Sequence, residues 1–291
     1  MAPLPPPSSA MQPVLRALRL PQFGWGSKIA AVVLAVIVAL TLLAPWIAPY
    51  DPLAMNPLAR LKGPIDGHPL GTDNFGRDIF SRVLIGGQLS LMIGLATAVV
   101  SVLAGLAIGM VAGFFRTADA IIMRMMDALM AIPSILLAIA LVALNGPSVG
   151  SVIAAITIPE IPRVVRLVRA VVLSAREEPY VEAAIALGTP MPRILTRHLV
   201  PNTTAPLIVQ GTYILASAIL TEAILSFLGA GVSTETPTWG NIMAEGRMFF
   251  RIKPELILYP GLALSLCILS INLLGDAARD MLDPRLKKRA G

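Results

Sequence analysis

The chain has 291 residues, of which 56% are apolar and only 14% charged, and it carries a formal net charge of +6. Soluble domains average about 25% charged residues, so the composition excludes an ordinary soluble domain and points to a bilayer. One cysteine, Cys267, excludes an internal disulfide and any thiol-pair metal or redox centre; inside an apolar run it reads as a small packing residue.

Residues 1–28 open with Pro3, Pro5, Pro6 and Pro7 and read as a disordered cytoplasmic tail. Six apolar stretches then approach the roughly 20 residues that a helix needs to cross the hydrocarbon core. They are Ile29–Ala48, Leu89–Gly113, Asp127–Leu144, Val149–Val168, Pro206–Leu228 and Leu256–Gly275. The first is too long for a signal-peptide core and lacks a small-residue cleavage site, so it reads as a permanent span. Pro49–Gln88 follows as an external loop rich in turn formers, with a helix expected from Ile79 and Asp78 at its N-terminus. In the second span Gly105, Gly109 and Gly113 recur every fourth residue, with Ala112 nearby. Such a stripe lets helices approach closely, here within the chain or against a paired one. Pro133, Pro159 and Pro162 interrupt the third and fourth spans, which membrane helices tolerate.

Arg163, Arg166 and Arg169 share a face of the helix that leaves the fourth span. They read either as snorkelling to headgroups or as a cytoplasmic basic face that contacts a soluble partner or gates the mouth. Residues 176–202 form a polar, basic segment between apolar runs, and include EAAIALGTPMPRILTRHLVPN from Glu182 to Asn202. A helix beginning near Pro179 should end at Gly188, and a second short helix should start near Pro192. Glu222 reads as the one acidic residue deep in a span. It either lines a polar path or its outer gate, or is a hydrogen-bonded brace between helices. Asp73, Asp78, Asp276 and Asp280 suit caps, surface salt bridges and turns. The last residues, 277–291, form a basic tail whose RLKKR run suits anionic headgroups better than nucleic acid. Sixteen of the 23 Lys and Arg residues fall on the side that holds both termini, which places the termini in the cytoplasm.

Four separated stretches, in order, resemble one family. HPLGTDNFGRDIFSRVLIGGQLSL before the second span, ILTEAILSFLGAGV followed by PTWGNIM, and NLLGDAARDMLDPRL at the C-terminus are similar to the C-type permease subunits of dipeptide, oligopeptide and nickel ABC importers. The EAA segment resembles the cytoplasmic coupling loop of bacterial ABC importer permeases. One departure stands out: Thr189-Pro190-Met191-Pro192 occupies a place where the family tends to have small, polar and aromatic residues, which stiffens the loop.

The resemblance implies an all-α membrane protein of six transmembrane helices with a short cytoplasmic coupling helix. It divides the chain into residues 1–28, a first helix and external loop at 29–88, a permease domain at 89–276 containing the coupling loop 176–202, and the tail 277–291. It further implies a multi-pass protein of the bacterial cytoplasmic membrane that forms half of a peptide path. Expected partners are a second, homologous permease, two ATPase subunits that bind ATP and Mg, and an extracytoplasmic solute-binding protein. Glu182, Ala183, Ala184, Leu187 and Gly188 would dock on the ATPase, with the alanines keeping the helix slim and Gly188 allowing a sharp turn. Nickel or another small solute is the alternative cargo. A membrane enzyme or scaffold is the alternative class. His68 and His198 fall on opposite sides of the membrane and form no zinc motif, and no GxxxxGK[ST] loop is present, so neither metal catalysis nor ATP hydrolysis is expected in this chain.

Overall fold

A computed structural model describes residues 24–282. The Pro-rich tail and the RLKKR run fall outside the described residues, apart from the tail's last positions. Within them the chain is helical, with two isolated β-bridges and no strand. Helix α1 spans Trp25–Leu42, followed by the short α2, Ala44–Ile47, and an irregular segment that leads to α3, Ile79–Phe114. Then come α4 (Arg116–Met130), α5 (Ser134–Asn145), α6 (Val149–Ala175) and α7 (Pro179–Ala186). Helix α8 (Met191–Ile194) runs through a π-helical turn, Leu195–Leu199, into α9 (Val200–Phe227); α10 (Trp239–Gly246) and α11 (Glu255–Leu282) complete the chain.

Four helical runs are long and apolar enough to cross a bilayer: α1, α3, the continuous Met191–Phe227 and α11. The pair α4–α5, bent by 88°, is a fifth candidate. The expected third span, Asp127–Leu144, is therefore not one straight helix. Asp127 lies near the end of α4, the chain turns at residues 131–133, and Pro133 precedes the first residue of α5. Proline lacks an N–H and disfavours helical geometry in the residue before it, which is why the break falls here. Pro159 and Pro162, in contrast, sit inside an unbroken α6 of 27 residues, about 40 Å long. The first span ends at Leu42 instead of Ala48, because Pro45 starts the separate turn α2.

The centre of the bundle is the parallel packing of α3 on α6, and the glycine stripe makes it. Gly105, Gly109 and Gly113 face Val164, Val168 and Val172 in four-residue steps. A Cβ on Gly109 would lie 2.7 Å from Val168 Cβ and 2.9 Å from the Val165 carbonyl oxygen; one on Gly113 would lie 2.6 Å from Val172 Cβ. The stripe thus serves packing within the chain. Helix α9 lies against both, with α11 behind it and α1 on the outside against α11. Helix α3, about 54 Å long, exceeds the roughly 30 Å hydrocarbon core, so one end projects beyond it.

Candidate functional site

At one end of the bundle, α6 turns through Arg176-Glu177-Glu178 into α7, which is built from the first Ala-rich residues of the polar segment. Pro179 occupies its first turn, where a missing N–H costs nothing. Its end is a Schellman turn: the Gly188 N–H donates to the Ile185 carbonyl at 2.9 Å and the Thr189 N–H to the Ala184 carbonyl at 3.0 Å. Gly188 has φ +73°, a conformation that glycine adopts freely. Val181 and Ala184 are buried beneath the helix, Val181 joining Ala175, Ile194 and Leu199 in one core cluster. Glu182, Ala183 and Ala186 face outward, with Ile185 half exposed and Leu187 85% exposed. So the two alanines of the motif do different things: Ala184 seats the helix and Ala183 belongs to its free face. Asn202 Nδ2 donates to the Tyr180 hydroxyl at 2.9 Å, tying α7 to α9.

The three arginines of α6 are held within the chain. Arg169 forms a two-bond pair with Asp119, its Nη2 2.7 Å from Oδ2, and Arg166 Nη2 lies 2.6 Å from Asp127 Oδ1. These pairs join α6 to α4. Arg163 Nη1 reaches Glu160 at 3.0 and 3.2 Å along its own helix.

Glu222 is fully buried where α9 meets α3 and α10. Its carboxylate accepts from Ser226 Oγ at 2.8 Å and Ser90 Oγ at 3.3 Å, while Ser90 Oγ accepts from the Trp239 N–H at 3.2 Å. It thus stands within a packed helix junction.

At the opposite end lies a buried ion cluster that sequence reasoning missed. Asp73 Oδ2 receives Arg77 Nε at 2.6 Å and also Arg82 Nη1. Arg82 donates to Glu245 from Nη1 at 2.7 Å and from Nη2 at 3.0 Å, and Arg77 Nη2 completes the ring to Glu245. Asp73, read from sequence as a surface or turn acid, is 2% exposed. Its other oxygen accepts the Phe75 and Arg77 N–H groups, which shapes the turn before α3. Asp78 caps α3 as expected, accepting from the Ser81 N–H at 2.8 Å, and also holds His68 Nδ1 at 3.0 Å. Lys253 donates to the Lys62 carbonyl, and burial holds its pKa below the ordinary lysine value. The segment before α3 is in this way fastened to α10 and to the turn before α11.

A family described as the binding-protein-dependent transport system inner membrane component matches residues 101–288, and one described as the N-terminal TM domain of oligopeptide transport permease C matches residues 26–64. The chain belongs to the binding-protein-dependent transport permeases. A probable peptide ABC transporter permease of Sinorhizobium fredii is 52% identical over 239 residues, covering 82% of each chain. A dipeptide transport system permease of Alkalihalophilus pseudofirmus is 40% identical over 265 residues, covering 90% of this chain and 87% of the relative. Among solved structures, an inward-facing methionine ABC transporter is 21% identical with a TM-score of 0.48, covering 67% of this chain and 94% of that one.

Of the acids inside the long helices, only Glu222 was singled out from the sequence. Glu160 is a second, in the middle of α6. The signal for it was present: Arg163 lies one turn away, and an acid with a base at three-residue spacing inside an apolar run is a pairing pattern. Nothing in the sequence, by contrast, joins Glu245 to Arg77 and Arg82, which lie more than 160 residues away.

Proposed function

We propose that this chain is one of two permease subunits of an ATP-driven peptide importer, and that α7 with its glycine turn is the element gripped by an ATPase subunit. Six crossings, by α1, α3, the bent α4–α5 pair, α6, α9 and α11, leave both termini and α7 on the cytoplasmic side. The excess of Lys and Arg on that side, which stands with Arg163 left out of the count, supports this orientation. The peptide assignment is supported by relatives whose names specify peptides or dipeptides.

One observation carries the coupling role. In a chain of this family, an Ala-rich helix is seated by Val181 and Ala184 and presents Glu182, Ala183 and an 85% exposed Leu187 beside a rigid glycine turn. A large apolar side chain left so open on a polar end of the molecule suits a pocket on a partner. Helix α7 is continuous in sequence with α6 on one side and, through the proline-stiffened α8, with α9 on the other. A displacement of α7 by closing ATPases is therefore passed to two long helices that pack on α3. ATP and Mg bind in those partners, an external binding protein delivers the cargo, and a second permease completes the path. Glu222 acts as a brace that keeps α3, α9 and α10 together.

Purification of the chain from a gently solubilised membrane, followed by identification of its stoichiometric partners, tests this reading. Recovery of one related permease and two ATPase copies is expected, with Glu182→Arg and Leu187→Asp each weakening ATPase recovery. A stable lone chain, or partner recovery indifferent to both substitutions, would overturn it.

A further inference from the structure

Helix α6 differs from every other long helix of the bundle in what it leaves uncovered. Its exposed positions are Gly150, Ala154, Arg163, Arg166, Ala170 and Ser174, and no large apolar side chain is exposed anywhere along it. Helix α11 exposes Leu258, Leu262, Leu266, Leu269 and Leu273. A surface of small and charged residues is unfit for lipid tails, whereas a leucine stripe suits them.

The α3–α6 register gives the height of the charged pair along the bundle. Gly113, which faces Val172, is the penultimate residue of α3, and Glu160 lies twelve residues before Val172, about 18 Å along the helix. Counted from that end of α3, 18 Å is more than half the thickness of a hydrocarbon core of about 30 Å. One further step of the same register sets Ser101 level with Glu160. Three buried hydroxyls on these helices, those of Thr97, Ser101 and Thr157, have no hydrogen-bond partner. These hydroxyls lie inside the α3–α6 contact, so they make the surroundings of Glu160 polar, while the half-open Arg163 is the group on the uncovered face.

The pair itself is asymmetric. The Glu160 side chain is 10% exposed and the Arg163 side chain 45%. Both contacts to Glu160 are made by Arg163 Nη1, so Nε and Nη2, the edge that grips a carboxylate with two parallel bonds, bear no partner among the described residues. We propose that the uncovered face of α6 borders the aqueous path, and that Arg163, aimed by Glu160, receives the carboxylate of the passing solute at mid-membrane. This deepens the peptide-importer reading and rests on it: the group received is the C-terminal carboxylate of a peptide. Glu160 is a positioning residue, since its own oxygens are spent on Arg163.

The test uses the complete transporter, reconstituted with its binding protein and ATPases at saturating peptide. Trialanine and its C-terminal amide serve as the two probes. Arg163→Gln should lower trialanine uptake about tenfold, the loss expected for a charge-assisted bond pair, and change uptake of the amide less than about twofold. Arg163→Lys should recover only part of the loss, and Glu160→Gln should give a weaker version of the same selectivity. ATPase activity in each preparation monitors assembly. Equal loss for both probes, or none for either, would overturn the assignment. Independently, in a Cys267→Ala chain, Ala154→Cys and Ala170→Cys should be modified by a charged, membrane-impermeant methanethiosulfonate, whereas Leu266→Cys should not. Protection of both α6 positions would overturn the water-facing placement. Uptake of neither probe by the unaltered transporter would overturn the peptide cargo instead; labelling of α6 would then still support, and its absence overturn, the path-facing helix.

Discussion

Replacing Glu245 by Ala probes what holds the segment before α3 to the bundle. In the intact cluster two guanidiniums face two carboxylates, and Arg82, Asp73 and Arg77 are 1%, 2% and 4% exposed. The substitution removes both Arg82–Glu245 bonds, at 2.7 and 3.0 Å, and the Arg77 contact, leaving two buried cations on the single carboxylate of Asp73. Arg82 Nε already lacks a partner, so no spare acceptor takes over. Breaking a buried pair in this way costs about 3–5 kcal/mol. The side chain of Glu245 is 17% exposed, and water reaching it places the expected loss near the lower end, about 3 kcal/mol. Equilibrium unfolding of the purified permease in mixed micelles would read the cost, and limited proteolysis between residues 48 and 78 would read the release of the segment. The sharper measurement is a cycle with Arg77→Met. Removing Arg77 and Glu245 together restores neutrality, with Arg82 still paired to Asp73. The double variant should therefore be more stable than the sum of the single losses by at least about 1 kcal/mol. Strict additivity, or a Glu245→Ala loss below about 1 kcal/mol, would refute the argument that this cluster acts as one neutral unit.

Three further outcomes follow from the packing and the caps. Gly109→Ala pushes a methyl against Val168 and the rigid Val165 carbonyl, and should destabilise the chain by about 1–3 kcal/mol. Gly211→Ala, whose nearest neighbour would lie at 3.6 Å, should be neutral or slightly stabilising; equal melting temperatures for the two variants would contradict the close α3–α6 approach. Leu187→Asp alters an 85% exposed residue and should leave stability within about 0.5 kcal/mol while lowering peptide-stimulated ATP hydrolysis by the assembled transporter. Glu222→Gln keeps an acceptor for the closer hydroxyl, Ser226, and turns an amide donor toward Ser90, and should leave uptake within about twofold; Glu222→Leu strands both hydroxyls and should cost about 1–3 kcal/mol in the same unfolding assay.

Local chemistry was readable wherever a residue acts on its own neighbours in the chain. Asp78 as a cap, Gly188 as a helix stop, and a helix beginning at Pro179 all follow from backbone preferences that need no tertiary partner, and the structure has each of them. Pro133 shows where such preferences become ambiguous. The same residue type that bends the chain by 88° before α5 is accommodated twice inside α6. The difference is packing: α6 is clamped along its length by α3, with Val164, Val168 and Val172 set in the glycine groove, while α4 and α5 have far less of the bundle against them.

The same distinction separates the acids. Glu160 and Glu222 both stand among apolar neighbours in long helices. Their roles diverge because Glu222 points into a junction where Ser226 and Ser90 supply its donors, whereas Glu160 is paired with an arginine that is itself half open. A carboxylate whose partners are neutral and enclosed braces a structure; one that orients an exposed cation presents that cation to whatever passes. Which case applies depends on how α3, α6 and α9 are turned about their axes. That rotation is set by the glycine stripe pressing α3 onto α6: one residue of slip would turn Arg163 into the bundle and leave two cationic nitrogens buried without acceptors. The stripe read from sequence as packing alone therefore also fixes which charged group α6 leaves on its open surface.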